Sequence, residues 1–372
     1  MSVILSGGAV MTEELEPNAD AVALLSRPVY SGEEFLSVGR CRLIHRHMVR
    51  SRVMEERMIK MSKSGQGHFW IGGPGEEAFN VVLGLQIRKG QGPAYDYLHL
   101  HYRNSALLVA MGMPPLEAIR QMAMTATDTH SAGRNFSGHF AKREWNVIPV
   151  TSVIEVQYVM APGTALMQKR VEGGQGVTVV IGGDAGTAEG DFASCLIWST
   201  LPEREVPVFI VVTNNGWGIS TAGCSVRSEQ QIIDRGAAHG IPGEVCDGND
   251  PIRAWHAVAR GLAYCRQTRR PYMLEAMVSR LYGHSSSSGA LRDRTQECPI
   301  ERFEHMLLEQ RAITETEIQQ VHAEAHAEIE AAVEQALREP MPRPEDVEKW
   351  TYAPSRPEID AVYPGDYTGL PR

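Results

Sequence analysis

The chain has 372 residues, 43% of them hydrophobic and 22% charged, which is enough apolar material for a sizeable core. A formal charge of −9 argues against nonspecific binding to nucleic acid or anionic membranes, and no apolar run reaches the roughly 18 residues of a membrane span. The six cysteines (Cys41, Cys195, Cys224, Cys246, Cys265 and Cys298) form no C-x-x-C pair, so free thiols in a reducing cytoplasm are expected rather than a zinc site or a disulfide framework.

Residues 1–30 are polar and lack periodicity. They read as an arm that is disordered or lies on a partner, and without a basic stretch or a sustained apolar core no secretory signal is expected. From Glu33 to Lys63, Leu43, Met48, Val53 and Met54 recur among Arg and Glu, the pattern of a long amphipathic helix. The segment GQGHFWIGGPGEEAFNVVLGL reads as a glycine-rich loop entering a helix near Glu76, whose acidic residues suit a helix N-terminus. A helix is expected over 115–126 and a polar loop over 128–146.

VTVVIGG (177–183) and VPVFIVVTNN (206–215) are continuous apolar runs suited to buried parallel strands. With a helix over 187–200 between them they make one βαβ unit. A helix at 251–266 and a strand at 271–280 follow, then a loop at 281–296 whose glycines and serines promise few core contacts. Residues 301–338 read as helical and the Pro-rich end as a wrapping tail. The division expected is an arm over 1–37, an α/β domain over 38–300, and a helical region with tail over 301–372.

The segment IGGDAGTAEGD lies where the first strand of the βαβ unit ends, the place where doubly wound sheets bind ligands. Its glycines allow a diphosphate to approach the backbone, and the next helix points free N–H groups at the anion. Asp184 is placed to ligate a cation, and Asn214 and Asn215 at the end of the next strand offer neutral oxygen donors suited to magnesium. No P-loop is present and the glycines do not fit G-x-G-x-x-G, which disfavours a kinase or a nicotinamide enzyme.

The run GGDAGTAEGDFASCLIWSTLPEREVPVFIVVTNNGWGIST resembles the thiamine-diphosphate motif, and in particular that of alpha subunits of 2-oxo acid dehydrogenases. GPGEEA, HYR, GRNFSGH, RLYGHSSSS and PIERFEHML extend the resemblance over roughly residues 40–340. It implies a thiamine-diphosphate-binding α/β fold, with a central, mostly parallel sheet flanked by helices and helical N- and C-terminal extensions. It also implies that Asp184, Asn215 and the Trp217 carbonyl ligate magnesium, and that Tyr102 and Arg103 hold the diphosphate beside Gly183, Ala185 and Gly186. Ser152 and Ile154 match the main chain that holds the pyrimidine. His284 and His139 match active-site histidines, His284 also closing over the cofactor.

The implied reaction is oxidative decarboxylation of a 2-oxo acid with acyl transfer to the lipoyl arm of an acyltransferase. The implied partner is a beta subunit in an alpha2-beta2 heterotetramer, which supplies the glutamate that activates the cofactor. Three departures stand out: Ala185 occupies the second glycine of G-D-G, Thr213 stands where branched-chain enzymes often carry an arginine, and the usual aspartate after the G-H-S run is missing. G-R-x-x-x-x-H at 133–139 points to branched-chain substrates and the single histidine of G-H-S to pyruvate; the balance tips to branched-chain. An acetoin dehydrogenase alpha chain, half of a split transketolase and a noncatalytic cofactor-binding paralogue remain as alternatives.

Overall fold

The computed structural model describes residues 19–349 apart from Val226. The first part of the expected arm and the last part of the tail, residues 1–18 and 350–372, lie outside that range. Residues 19–37 form a short helix α1 (Ala19–Ser26) and a hairpin of β1 (Pro28–Ser31) and β2 (Glu34–Ser37). Val29 is fully buried, and Tyr30 exchanges hydrogen bonds with the Gln310 side chain at 2.9 and 2.7 Å, so this stretch packs on the body.

The long helix α2 (Val38–Ser64) begins where the Ser37 hydroxyl accepts the Arg40 N–H, five residues later than the periodicity suggested because Glu34–Ser37 pair as a strand. It ends at Gly65, whose φ of 76° closes the last turn onto Met61. Next come α3 (Glu77–Gly84), β3 (Tyr97–His99), α4 (Ser105–Ala110), α5 (Pro115–Ala123), β4 (Val147–Ile148) and α6 (Val156–Arg170). The βαβ unit is β5 (Thr178–Gly183), α7 (Gly190–Ser199) and β6 (Val208–Asn214). The chain continues through α8 (Ile233–Ala238), β7 (Gly243–Asp247), α9 (Pro251–Thr268) and β8 (Tyr272–Met277).

The stretch 301–338, expected to be helical, holds two helices, α10 (Pro299–Glu309) and α11 (Glu315–Ala336). Thr314 and Glu317 form a reciprocal capping box that starts α11 afresh, with Ala312 and Ile313 buried just before it.

Strands β3 to β8 form one sheet in the order β4-β3-β5-β6-β8-β7, with every pairing parallel. Both faces of β5 and β6 are covered, which is why they read as unbroken apolar runs. Val179, Ile181, Phe209 and Val211 join the core under α2, α3 and α9, while Val180, Val208, Ile210 and Val212 pack against α6, α7 and α8. This is a doubly wound arrangement whose ligand end is the carboxyl edge of the strands.

Candidate active site

β5 and β6 pair in register with Gly183 opposite Thr213, and the Asp184 N–H donates to the Thr213 carbonyl at 3.2 Å. Asp184 and Asn215 therefore leave the sheet side by side. The Asp184 carboxylate is buried, its Oδ2 has no hydrogen-bond partner, and the nearest cation is Arg227 Nη1 at 3.9 Å. Burial raises its pKa, against the pull of Arg227 and then Arg103. Asn215 is also buried: its Oδ1 accepts the Trp217 N–H at 3.0 Å and its Nδ2 is unpartnered. A buried carboxylate oxygen left unpaired beside a buried amide suits a hard cation. Asn214 has another task, since its Nδ2 donates to Glu275 Oε1 at 2.6 Å between β6 and β8.

A cavity of about 210 Å³ opens over this edge. Of the residues singled out from sequence, Tyr102, Arg103, Ile154, Gly183, Asp184, Ala185, Gly186, Trp217 and His284 line it. Arg103 is buried and its Nη2 donates to His284 Nδ1 at 3.3 Å, while the His284 ring meets Tyr102 edge-on at 5.9 Å. A guanidinium has only hydrogens to give, so His284 Nδ1 is an acceptor and Nε2 carries the proton. Burial, then Arg103 and Arg280, push the His284 imidazole down to about 4, so it is neutral at physiological pH.

His139 and Ser152 are not among the lining residues. They pair with each other instead, His139 Nε2 lying 2.7 Å from the Ser152 hydroxyl. His139 Nδ1 faces the Ser137 carbonyl at 3.3 Å, which makes Nε2 the acceptor, and burial lowers its pKa.

Residues 45–345 match the family described as the dehydrogenase E1 component. The 2-oxoisovalerate dehydrogenase subunit alpha of Bacillus subtilis is 27% identical over 275 residues, which is 73% of this chain and 81% of that one. The pyruvate dehydrogenase E1 component subunit alpha of the same organism is 27% identical over 317 residues, 82% of this chain and 80% of that one. A mitochondrial 2-oxoisovalerate dehydrogenase subunit alpha 2 of Arabidopsis thaliana is 28% identical over 252 residues, 68% of this chain but only 52% of the plant chain.

The chain belongs to the dehydrogenase E1 component family. The family depends on thiamine diphosphate, and the reading of this chain as a 2-oxo acid dehydrogenase alpha subunit stands.

Several features of this E1 chain escaped the sequence reading. Glu76, taken for a helix-end charge, is buried. Its Oε2 has no hydrogen-bond partner, and its Oε1 lies 3.8 Å from Arg103 Nε. Burial lifts it to about 7, opposed first by Arg103. Its position depends on Gly75, where φ is 113° and a Cβ would come within 2.4 Å of the Ser279 carbonyl.

Glu155, given no role, sits in the left-handed region at φ 63° with its carboxyl beneath the glycine turn. The Gly183 N–H donates to its Oε1 at 3.2 Å, and a Cβ on Gly186 would come within 1.8 Å of that oxygen. Burial raises it to about 8. His101, also missed, stacks on Tyr102 at 3.8 Å and is held neutral by burial and Arg103.

The loop 281–296 is better anchored than expected. Leu281 and Ala290 are buried, and Ser286 is tied to Trp70 through both backbone and hydroxyl. A Ser285–Ser288 capping box closes a short turn between them.

Proposed function

We propose that this chain is the alpha subunit of an E1 enzyme acting on a branched-chain 2-oxo acid, with thiamine diphosphate held through magnesium. The observation that carries the reading is the unpartnered Asp184 oxygen beside Asn215, at the strand edge where Arg103 also converges. The residues present fit a metal-bound diphosphate. Asp184, Asn215 and the Trp217 carbonyl would hold the ion, and Arg103 with Tyr102 would meet the phosphates, a guanidinium being matched to their oxygens. Gly183, Ala185 and Gly186 would let the backbone approach, and the main chain at Ser152 and Ile154 would receive the pyrimidine. Arg227 brings a guanidinium within 3.9 Å of Asp184 by a route other than position 213, and the G-R-x-x-x-x-H pattern at 133–139 supports the branched-chain reading.

When bound, the cofactor supplies the electron sink that lets a 2-oxo acid lose carbon dioxide. The chain's own groups orient and move protons. His284, neutral with Nε2–H, can donate from that nitrogen. His139 holds its Nε2 lone pair toward Ser152 and can take a proton there.

Exposed apolar side chains on the two helices that start at the cavity, and at its rim, support a beta partner. Val159, Met160 and Met167 on α6, Ile197 and Trp198 on α7, and Ile219 at the rim are all exposed. Trp198 is 59% exposed, and a cluster of this kind is what an interface uses. The lipoyl acyltransferase would be the acceptor. A cytoplasmic setting suits the buried free thiols Cys41, Cys195, Cys246, Cys265 and Cys298.

One observation favours the noncatalytic alternative: Glu155 takes the Gly183 N–H that a diphosphate could use. The test is calorimetric titration of the full chain, alone and with its beta partner, with thiamine diphosphate and magnesium. Magnesium-dependent binding supports the proposal, and no binding in either state overturns it.

A further inference from the structure

We propose that His45, Glu304 and His322 form a binding site for a divalent transition metal of the zinc type, which clips the C-terminal helices to α2. The three residues come from three helices: His45 from the buried face of α2, Glu304 from α10 and His322 from α11. Both histidine Nε2 atoms lie 2.8 Å from the same oxygen, Glu304 Oε1. The three ligand atoms all fall within 4.8 Å of one another. His45 is fully buried, whereas the His322 side chain is 38% exposed, so an ion could enter from the His322 side.

Two imidazoles and one carboxylate are a donor set zinc takes in tetrahedral sites that keep a fourth position open. A candidate for that position is on the same helix as His322. His326 lies one helical turn beyond His322 and lines the same cavity of about 650 Å³. A histidine pair at i, i+4 on one helix face is itself a metal-chelating spacing.

The electrostatics are compatible. Two of the arginines near the cavity are already engaged: Arg52 with Glu77 at 2.6 Å, and Arg292 with Glu56 and Glu301 at 3.7 Å each. An incoming cation would therefore meet little uncompensated positive charge from these two.

The role of such an ion follows from its place. α10 and α11 reach the body mainly by packing on α2, α3 and α5, and the proposed ligands bridge both helices to α2. The ion would stabilise this region and stand apart from the decarboxylation chemistry.

The test uses the full chain, purified without a histidine tag, stripped with a chelator and desalted. Zn²⁺ is then titrated against a chromophoric chelator, with melting temperature followed in parallel. Wild type is expected to bind one Zn²⁺ per chain at this site. Zinc at about 100 times its dissociation constant should raise the melting temperature by about 3–4 °C. His322→Ala and Glu304→Gln, each checked for an unchanged metal-free circular dichroism spectrum, should weaken binding at least about tenfold and lose the thermal shift. Asp184→Asn should leave zinc binding as in wild type, which separates this site from the candidate active site. The visible absorption of the Co²⁺-loaded chain should disappear in the same two variants. No zinc binding by the full chain, or equal affinity in wild type and both variants, would mean the trio is only a hydrogen-bonded staple and would overturn the proposal.

Discussion

Asp184→Asn should have opposite effects on the empty and the loaded protein. The side chain is buried, its Oδ2 has no hydrogen-bond partner, and Arg227 stands at 3.9 Å without making a hydrogen bond to it. Attraction to that arginine favours the charge by up to about 4 kcal/mol at an effective dielectric constant of about 20, whereas desolvation opposes it. The direction of the pKa decides between them: it is raised, so burial outweighs Arg227 and Arg103 together. For a carboxyl whose folded pKa is raised, the stabilising contribution is present below the unfolded value of 3.8 and is lost as pH rises through the folded value. At neutral pH the Asp184 charge is therefore a net cost to the apo fold. Removing it should leave the apo protein as stable as wild type or stabilise it by up to about 3 kcal/mol, the scale of one unsatisfied buried polar group. The same change deletes the single anionic metal ligand proposed, so affinity for magnesium and thiamine diphosphate should fall at least about 100-fold. Denaturant unfolding and calorimetry on one preparation read both effects. Marked destabilisation of the apo variant with unchanged cofactor affinity would refute the reasoning and make Asp184 a structural carboxylate.

The other expectations concern different regions. Glu55 is buried and lifted to about 7, by desolvation first and Glu77 after it, against hydrogen bonds from Ser105 and Trp70. Its stabilising contribution is present below pH 4.5 and lost through about 7. Glu55→Gln should therefore gain about 2–3 kcal/mol relative to wild type between about pH 5 and about pH 9, and a pH-independent difference in urea melts would contradict this. Glu77→Gln leaves Arg52 buried without its bidentate partner at 2.6 and 2.8 Å. It should cost about 3–5 kcal/mol in equilibrium unfolding, and a loss below about 1 kcal/mol would show that the arginine finds other partners. Trp198→Asp changes a side chain that is 59% exposed, so the melting temperature should hold while co-purification with a beta chain is lost. Undiminished co-purification would place the interface elsewhere.

The βαβ unit was legible because both its strands are covered on two faces, so their residues form unbroken apolar runs bounded by glycine and proline. The approach of Asp184 to the Asn214-Asn215 pair followed from that geometry, and the family resemblance singled out Asn215. Other elements carried no such signal. β3 and β4 have three and two residues, too short for any alternation. α6 was missed because Pro162 and Gly163 sit within it and it has apolar side chains on its exposed face as well as its buried one, so no polar stripe betrays a helix. The loop at 281–296 looked free because its anchors, Trp70 and Glu56, lie far away in sequence. Glu76 and Glu155 were opaque for the same reason. Their surroundings are assembled by Arg103, Thr213 and the glycine turn, and local sequence says nothing of that convergence.

The most direct measurement is turnover of a branched 2-oxo acid with an artificial electron acceptor, comparing the purified chain alone with the same chain co-expressed with its beta partner. Turnover is expected only with both chains present, and should require added thiamine diphosphate and magnesium. Robust turnover by the chain alone, or none with the partner and both cofactors supplied, would contradict the account.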